Sequence, residues 1–266
     1  AAELGLPVHA VIAYAHSFGD GAHTSIPAPG LGVLAAARGG EQSRLAKNLA
    51  SLGLTPDDVT VLSKHDTSTN ANDPNESELH SILWPAIGRD ARAPLYVISQ
   101  KTLTGHSKAG AALFQIGGLI DVLRTGNLPQ NASLDCVDPL ISPKAKNLVW
   151  LRAPLALGEG RVKAAALTSL GFGHVGALVL LAHPGVFEAA VVAARGEAAA
   201  AEWRERATQR LRAGADHLEA GMVGRRPLFE QVENRRFVEG NTHDGEIALL
   251  LNPDARLGED GKYPLS

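Results

Sequence analysis

Three short segments concentrate the residues able to do chemistry. The first runs Ser63-Lys64-His65-Asp66-Thr67-Ser68-Thr69-Asn70-Ala71-Asn72-Asp73-Pro74-Asn75-Glu76. It sets a histidine and a run of hydroxyl side chains just past the apolar stretch Val59–Ser63. The second, Gln100 to Ala112, carries Lys101 and His106 just past another apolar stretch, Leu95–Ser99. The third, Ser169 to Ala177, is a glycine-rich turn with Gly171-Phe172-Gly173 at its centre. Open α/β sheets bind ligands at the C-terminal ends of their strands, so the first two segments sit where a site belongs. A neutral imidazole can donate a hydrogen bond to a carbonyl oxygen without carrying a full charge. His106 would precede a helix, and the positive potential of a helix N-terminus favours the neutral ring. The Gly-Phe-Gly turn would expose an aromatic ring and leave backbone N–H groups free.

Each segment also has a plainer explanation. Asp73 is a good N-cap, Pro74 suits the first helical position, and Glu76 completes a capping box. That accounts for three residues without function, but not for His65 or the Thr-Ser-Thr run. Lys101 could be an ordinary exposed lysine, and Gly171–Gly173 a tight turn. A metal site built on His65, Asp66 and Asp73 fits poorly. No His-x-x-x-His or cysteine pair accompanies them, and the spacing matches no zinc pattern. There is no phosphate-cradling G-x-x-x-x-G-K loop and no G-x-S-x-G elbow. His9, His16, His23, His80, His174, His183, His217 and His243 have no partner visible in sequence and read as structural or surface residues.

The elements that must position these groups alternate. Strands are expected at Val8–Ala15, Val59–Ser63, Leu95–Ser99, Val162–Leu167 and Ala177–Ala182. Helices are expected at Glu41–Leu52, capped by Gly53, from Asp73 to about Gly88, and from Ser107 to about Leu123. Ser25–Gly32 and Asn127–Lys146 read as irregular. Phe187 to about Ala220 reads as one long helix of mixed charge. Alternating strands and helices predict an α/β layered fold. A boundary near Pro184–Gly185 divides it, residues 1–184 forming one domain and 185–266 a helical C-terminal tail.

The chain has 266 residues, a net charge of -3 and 45% hydrophobic residues. That balance argues against disorder and against a basic nucleic-acid surface. One cysteine excludes an internal disulfide framework and fits a reducing compartment. No apolar run is longer than that of Ala177 to Ala182, which is far short of a membrane span. The chain starts at Ala1 and holds a single methionine, Met222, which reads as a piece of a longer polypeptide.

Taken together, the three segments resemble the C-terminal half of β-ketoacyl synthases, the condensing enzymes of fatty acid synthesis. His65-Asp66-Thr67-Ser68-Thr69…Asp73-Pro74-Asn75-Glu76 corresponds to a His-x-Thr-x-Thr…Asp-x-x-Glu motif. Lys101 to His106 corresponds to Lys-x-x-x-Gly-His, and Gly171–Gly173 to Gly-Phe-Gly, all in the family's order. The family has glycine where Asp66 stands. Ser25–Gly30 and Leu250–Pro253 resemble microbial type I fatty acid synthases, and a chain that stops at Ser266 resembles the bacterial single-chain form. The resemblance implies a thiolase-like fold with a mixed sheet covered by helices, and a decarboxylating Claisen condensation of malonyl on an acyl carrier. It implies catalytic His65, His106 and Lys101, supported by Glu76, Thr67 and Thr69. Gly171, Phe172 and Gly173 would form a substrate gate and oxyanion site. Lys101 would orient the His65 region, through Glu76.

The resemblance also implies that the nucleophilic cysteine lies outside this chain, in an N-terminal half of the synthase domain, so the fragment alone would be inactive. The segment would bind no cofactor or metal itself. The phosphopantetheine arm of an acyl carrier domain would bring the substrate, and NADPH and FMN would act elsewhere in the synthase. Partners would be the remaining domains and further copies in a homo-oligomer, a hexamer by resemblance, in the cytoplasm, with neither nucleic acid nor membrane. The alternatives are a polyketide synthase condensing domain and a non-catalytic assembly segment. A thiolase would need a second cysteine late in the chain, and none occurs. Cys136 is outside the nucleophile motif and reads as structural. In the complete synthase, Cys136→Ser is therefore expected to leave chain elongation near normal. Loss of condensation by a folded, assembled variant would make Cys136 the nucleophile instead.

Overall fold

A computed structural model describes residues 1–20, 31–70, 72–139, 141, 145, 147–171 and 175–223. The strands are β1 (Val11–Gly19), β2 (Val59–Ser63), β3 (Leu95–Ile98), β4 (Asn127–Leu128), β5 (Leu148–Trp150), β6 (Leu155–Ala156), β7 (Ala164–Gly171) and β8 (Val175–Ala182). The helices are α1 (Arg44–Ser51), α2 (Asp73–Ala86), α3 (Lys101–Thr104), α4 (Ala111–Thr125), α5 (Gly185–Arg195) and α6 (Glu197–Met222). Among the described residues, six strands form one mixed sheet in the order β1-β8-β7-β2-β3-β5. β7, β2, β3 and β5 run parallel, while β8 is antiparallel to both β7 and β1. β4 and β6 pair separately. By its contacts the chain divides into two units, Val8–Ala200 and a second made of Ala1–Pro7 with the chain from Ala201.

The sheet separates two apolar layers. Side chains alternate across a strand, so Ala164, Ala166, Leu178, Leu180 and Ala182 join Leu45, Leu49, Leu79, Leu83 and Trp84 of α1 and α2. Ala165, Leu167 and Leu181 join Leu119, Val122 and Leu123 of α4 on the other face. In β2, Val59 lies in the first layer and Val61 in the second, two residues apart yet on opposite faces. A register shift between Val59 and Val61 explains this, because one extra residue reverses the alternation. As a result Ser63 falls on the α4 side. Thr168, two residues beyond Ala166, falls on the α2 side.

Local differences from the expected elements have physical causes. β1 runs to Gly19, through the polar Ser17, because Ser17, Phe18 and Gly19 pair with Ala177, Gly176 and Val175. Pairing with a neighbour outweighs the turn preference of those residues. Gly32 closes onto this strand end: its N–H donates to Asp20 Oδ1 at 2.8 Å, and a Cβ there would lie 2.5 Å from Gly19 O. The long charged helix is two helices, broken at Gly196, whose φ of 84° is unfavourable for residues with a side chain. α4 begins at Ala111 rather than Ser107, after a single tight turn at 108–110. Residues 21–30, which hold most of the Ser25–Gly32 loop, lie outside the described residues. So do 224–266, with Leu250–Pro253.

Within the second unit, Trp203 Nε1 donates to Leu6 O at 2.9 Å, and Arg206 donates to Ala2 O and Glu3 O at 3.1 Å. The main core depends on α2 covering the sheet. Leu83 is fully buried at the centre of that layer. Leu83→Ala is expected to cost about 2–5 kcal/mol of folding stability, read by chemical denaturation. A loss within the error of the measurement would mean that α2 does not carry the core.

Candidate active site

The C-terminal ends of β2 and β3 lie side by side, Ser63 opposite Ile98. The segments leaving them therefore meet at one edge of the sheet. Lys101, on the short helix α3, sends Nζ to the carbonyl oxygen of His65 and to within 3.5 Å of His65 Nδ1. The His65 and His106 rings stand edge to face, 5.3 Å between centroids and 85° between planes. Lys101 thus reaches His65 directly rather than by way of Glu76. Its ammonium lies below its ordinary range because it is partly buried, although Glu76 and Asp66 oppose the fall.

The imidazole protons can be placed from these contacts. His65 Nδ1 faces the Lys101 ammonium, so the neutral ring carries its proton on Nε2. His106 Nδ1 accepts the Lys108 N–H at 3.1 Å, which again leaves the proton on Nε2. Burial, then the charge of Lys101, pull the His65 pKa down to about 4, so the ring is neutral at pH 7. The His106 proton is thus placed by a turn, not by a helix: the ring precedes the 108–110 turn, and α4 opens three residues later still.

Glu76 does not close a capping box. Its fully buried carboxylate instead accepts the His65 N–H at 2.6 Å and the Asp66 N–H at 3.0 Å. Asn72 Nδ2 and the Thr168 hydroxyl donate to it as well, at 3.0 and 2.5 Å. Asn72, in helical conformation, is the residue before the helix, so Asp73 lies inside it. Burial pushes the Glu76 carboxyl up, but Lys64, His80 and these donors outweigh it and hold it at about 2.

Beside His65 lies a buried charge pair, Lys64 with Asp66, that the sequence did not suggest. Lys64, 1% exposed, donates to Asp66 Oδ1 at 2.7 Å and to Ser77 Oγ at 3.0 Å. Its Nζ sits 5.4 Å from the centre of the Trp150 ring. Asp66 takes a φ of 34°, strained for a residue with a side chain. Burial raises its pKa to about 6, with Lys64 opposing and Glu76 reinforcing the rise. Thr67 and Thr69 share a hydroxyl contact of 3.2 Å, and Thr69 Oγ1 accepts the Asn72 N–H at 3.3 Å. These threonines shape the loop that carries His65.

Lys64, Thr67, Lys101 and His106 line a cleft of about 500 Å³ with Asn131, Cys136 and Trp150. Cys136 is an exposed free thiol on the wall of this cleft, and so packs in no core. Asn131, missed in the sequence, holds the cleft wall: it accepts the Ser99 N–H at 2.7 Å and donates to Val97 O and Leu151 O at 3.0 and 3.1 Å. Gly171 ends β7. Phe172 and Gly173 lie outside the described residues. Among the described residues no group of three or more His, Cys, Asp or Glu side chains could hold a metal ion. No described helix is long and apolar enough to cross a membrane.

Residues 9–135, which include His65, Glu76, Lys101 and His106, match the family described as β-ketoacyl synthase, C-terminal domain. The fatty acid synthase alpha subunit stcJ of Emericella nidulans is 34% identical over 257 residues, covering 96% of this chain and 16% of that protein. This chain carries a β-ketoacyl synthase C-terminal domain. The fatty acid synthase subunit alpha of Aspergillus oryzae is 35% identical over 217 residues, 81% of this chain and 12% of the relative. The chain thus spans less than a fifth of the length of these relatives. Its thiolase-like fold is matched by the noncanonical ketosynthase FabY from P. aeruginosa, with a TM-score of 0.70 and 23% identity over 84% of this chain and 34% of that one.

The depressed His65 pKa has a measurable consequence for the ketosynthase domain. Between its ordinary 6.5 and about 4, the unfolded chain binds a proton at this ring that the folded chain refuses. Stability from this group is therefore complete above pH 6.5 and falls as the pH drops toward 4. His65→Asn removes that contribution. Denaturation at pH 7 and pH 5 is expected to show a smaller acid loss for the variant than for the wild type. Equal losses would mean that His65 titrates as an exposed histidine.

Proposed function

We propose that this chain supplies the two active-site histidines of a decarboxylating Claisen condensation in a fatty acid synthase. The observation that carries the reading is the pair of edge-to-face imidazoles, each with Nδ1 engaged and each left with an Nε2–H to donate. The nucleophilic cysteine, holding an acyl chain as a thioester, comes from the N-terminal half of the synthase domain. Malonyl enters on the phosphopantetheine arm of an acyl carrier domain. The C–C bond to the carboxylate breaks, CO2 leaves, and the electron pair becomes an enolate whose charge sits on the thioester oxygen. His65 and His106 donate hydrogen bonds to that oxygen. The enolate carbon then attacks the acyl thioester carbonyl. The cysteine departs as thiolate, and a 3-oxoacyl thioester remains on the carrier.

Several features of the domain support these roles. A neutral His65 donates to a developing oxyanion without holding charge that would trap the ground state. Lys101 and Glu76 fix the His65 backbone from two sides through its carbonyl and its N–H. A segment serving only assembly has no need of so many buried polar groups around one ring. The relatives at 34% and 35% identity are fatty acid synthase subunits, which favours fatty acyl over polyketide chains. NADPH and FMN act at other domains of the synthase, which assembles as a hexamer. In the complete synthase, His106→Ala is expected to abolish malonyl decarboxylation while cysteine acylation persists. Removal of one oxyanion donor costs about a hundredfold or more in rate. Near-normal decarboxylation by this variant would refute the role.

A further inference from the structure

The condensation proposed above uses His65, His106, Lys101 and Glu76, but leaves unused a buried histidine on the same helix. His80 is fully buried one turn beyond Glu76, and its pKa is drawn down to about 4, by burial first and then by Lys64, against the pull of Glu76. The ring is therefore neutral. Trp84 Nε1, which can only donate, gives its hydrogen to His80 Nδ1 at 3.2 Å. The His80 proton is thereby placed on Nε2, which lies 3.1 Å from Thr168 Oγ1. That hydroxyl, accepting from His80, has its own hydrogen free for Glu76 Oε1 at 2.5 Å. Glu76 Oε1 in turn accepts the His65 N–H. Three donations thus run one way, Trp84 to His80 to Thr168 to Glu76, and a fourth, from the His65 N–H, meets them at the same carboxylate oxygen. No link can be reversed, because the first member has no acceptor and the last is a backbone donor.

We infer that Thr168 and His80 are positioning residues of the condensing site. Acting through Glu76, they hold one carboxylate oxygen on the His65 N–H while the other takes the Asp66 N–H. The position of the His65 ring depends on this carboxylate and on Lys101. A carboxylate with one donor removed can rotate or shift, and the ring shifts with it. Misplacing a reacting group by about 1 Å can cost on the order of a hundredfold in rate. The contribution falls on the chemical step and not on substrate capture. Thr168 and His80 are both fully buried, and their side chains reach the His65 loop through Glu76.

This rests on the condensation reading, so the experiment includes a control for it. In the complete synthase, malonyl decarboxylation would be measured for Thr168→Val, Thr168→Ser, His80→Phe, the double variant Thr168→Val/His80→Phe, and His106→Ala. Valine keeps the shape of threonine without the hydroxyl, and serine keeps the hydroxyl. The expected result is a roughly tenfold or greater fall in kcat for Thr168→Val with unchanged KM and unchanged cysteine acylation. Thr168→Ser should stay within about twofold of wild type. His80→Phe should fall like Thr168→Val, and the double variant should be no worse than either single one. Normal kcat in Thr168→Val, an equal loss in Thr168→Ser, or additive losses in the double variant would overturn the inference. If Thr168→Val does not assemble, His80→Gln against His80→Phe gives the same comparison, because the glutamine amide can still donate. Should His106→Ala decarboxylate normally, the condensation reading itself fails. If only the Thr168 and His80 variants behave as wild type, that reading stands and the relay is structural.

Discussion

The site is organised around one buried carboxylate. Glu76 is fully buried, yet ionised, and an isolated carboxylate in that position would be very costly. Four donors from three elements offset the cost: the His65 and Asp66 N–H groups past β2, Asn72 before α2, and Thr168 on β7. Because the donors come from three different parts of the fold, satisfying Glu76 requires those parts to be in register. Removing one partner of such a buried charge leaves the rest uncompensated, so the arrangement holds together as a unit. The loop that carries His65 is thus tied to the core by the same interaction that holds α2 at the strand ends.

A second tie comes from the opposite face of the sheet. Gln115 of α4 is buried and points Nε2 at Ser63 O, Lys64 O and Thr168 O, at 3.1, 3.0 and 3.2 Å. The end of β2 is therefore gripped by α2 on one side and α4 on the other. Lys64 then brings a positive charge beside His65, balanced by Asp66 and by the field of Glu76 and Asp73. The Lys64–Asp66 bond holds Asp66 in a left-handed conformation that glycine would adopt without strain. A charged residue at this turn thus comes with a lysine in the core to hold it.

Much of the fold was legible along the chain. β2 begins and ends where expected, at Val59 and Ser63, because Val59, Val61 and Leu62 with β-branched Thr60 suit a central strand covered on both faces. The breaks at Gly53 and at the start of α2 also follow from local turn and helix chemistry. The third segment is only partly placed, since Phe172 and Gly173 fall outside the described residues. What misled was local sense applied to a residue with a distant role. Glu76, three residues after Asp73, has the spacing of a capping box, and its neighbours in sequence offer no other use for it. Thr168, 92 residues away, provides one. Ser17, polar and near glycine, looks like a turn until β8 pairs with it.

His65, Lys101 and His106 could be singled out from sequence because their types and positions past strand ends stand out, and the parallel strands bring them together at one edge. The apolar runs also determined the mixed α/β class, since each had to be buried on the sheet or against it. Lys64, His80, Gln115, Thr168 and Asn131 could not be named. Their part depends on hydrogen bonds reaching up to 92 residues along the chain, which spacing does not encode. The proton positions on both imidazoles were also undecided. A ring's tautomer is set by whatever lies against Nδ1, and only the folded chain brought Lys101 and the 108–110 turn into that place.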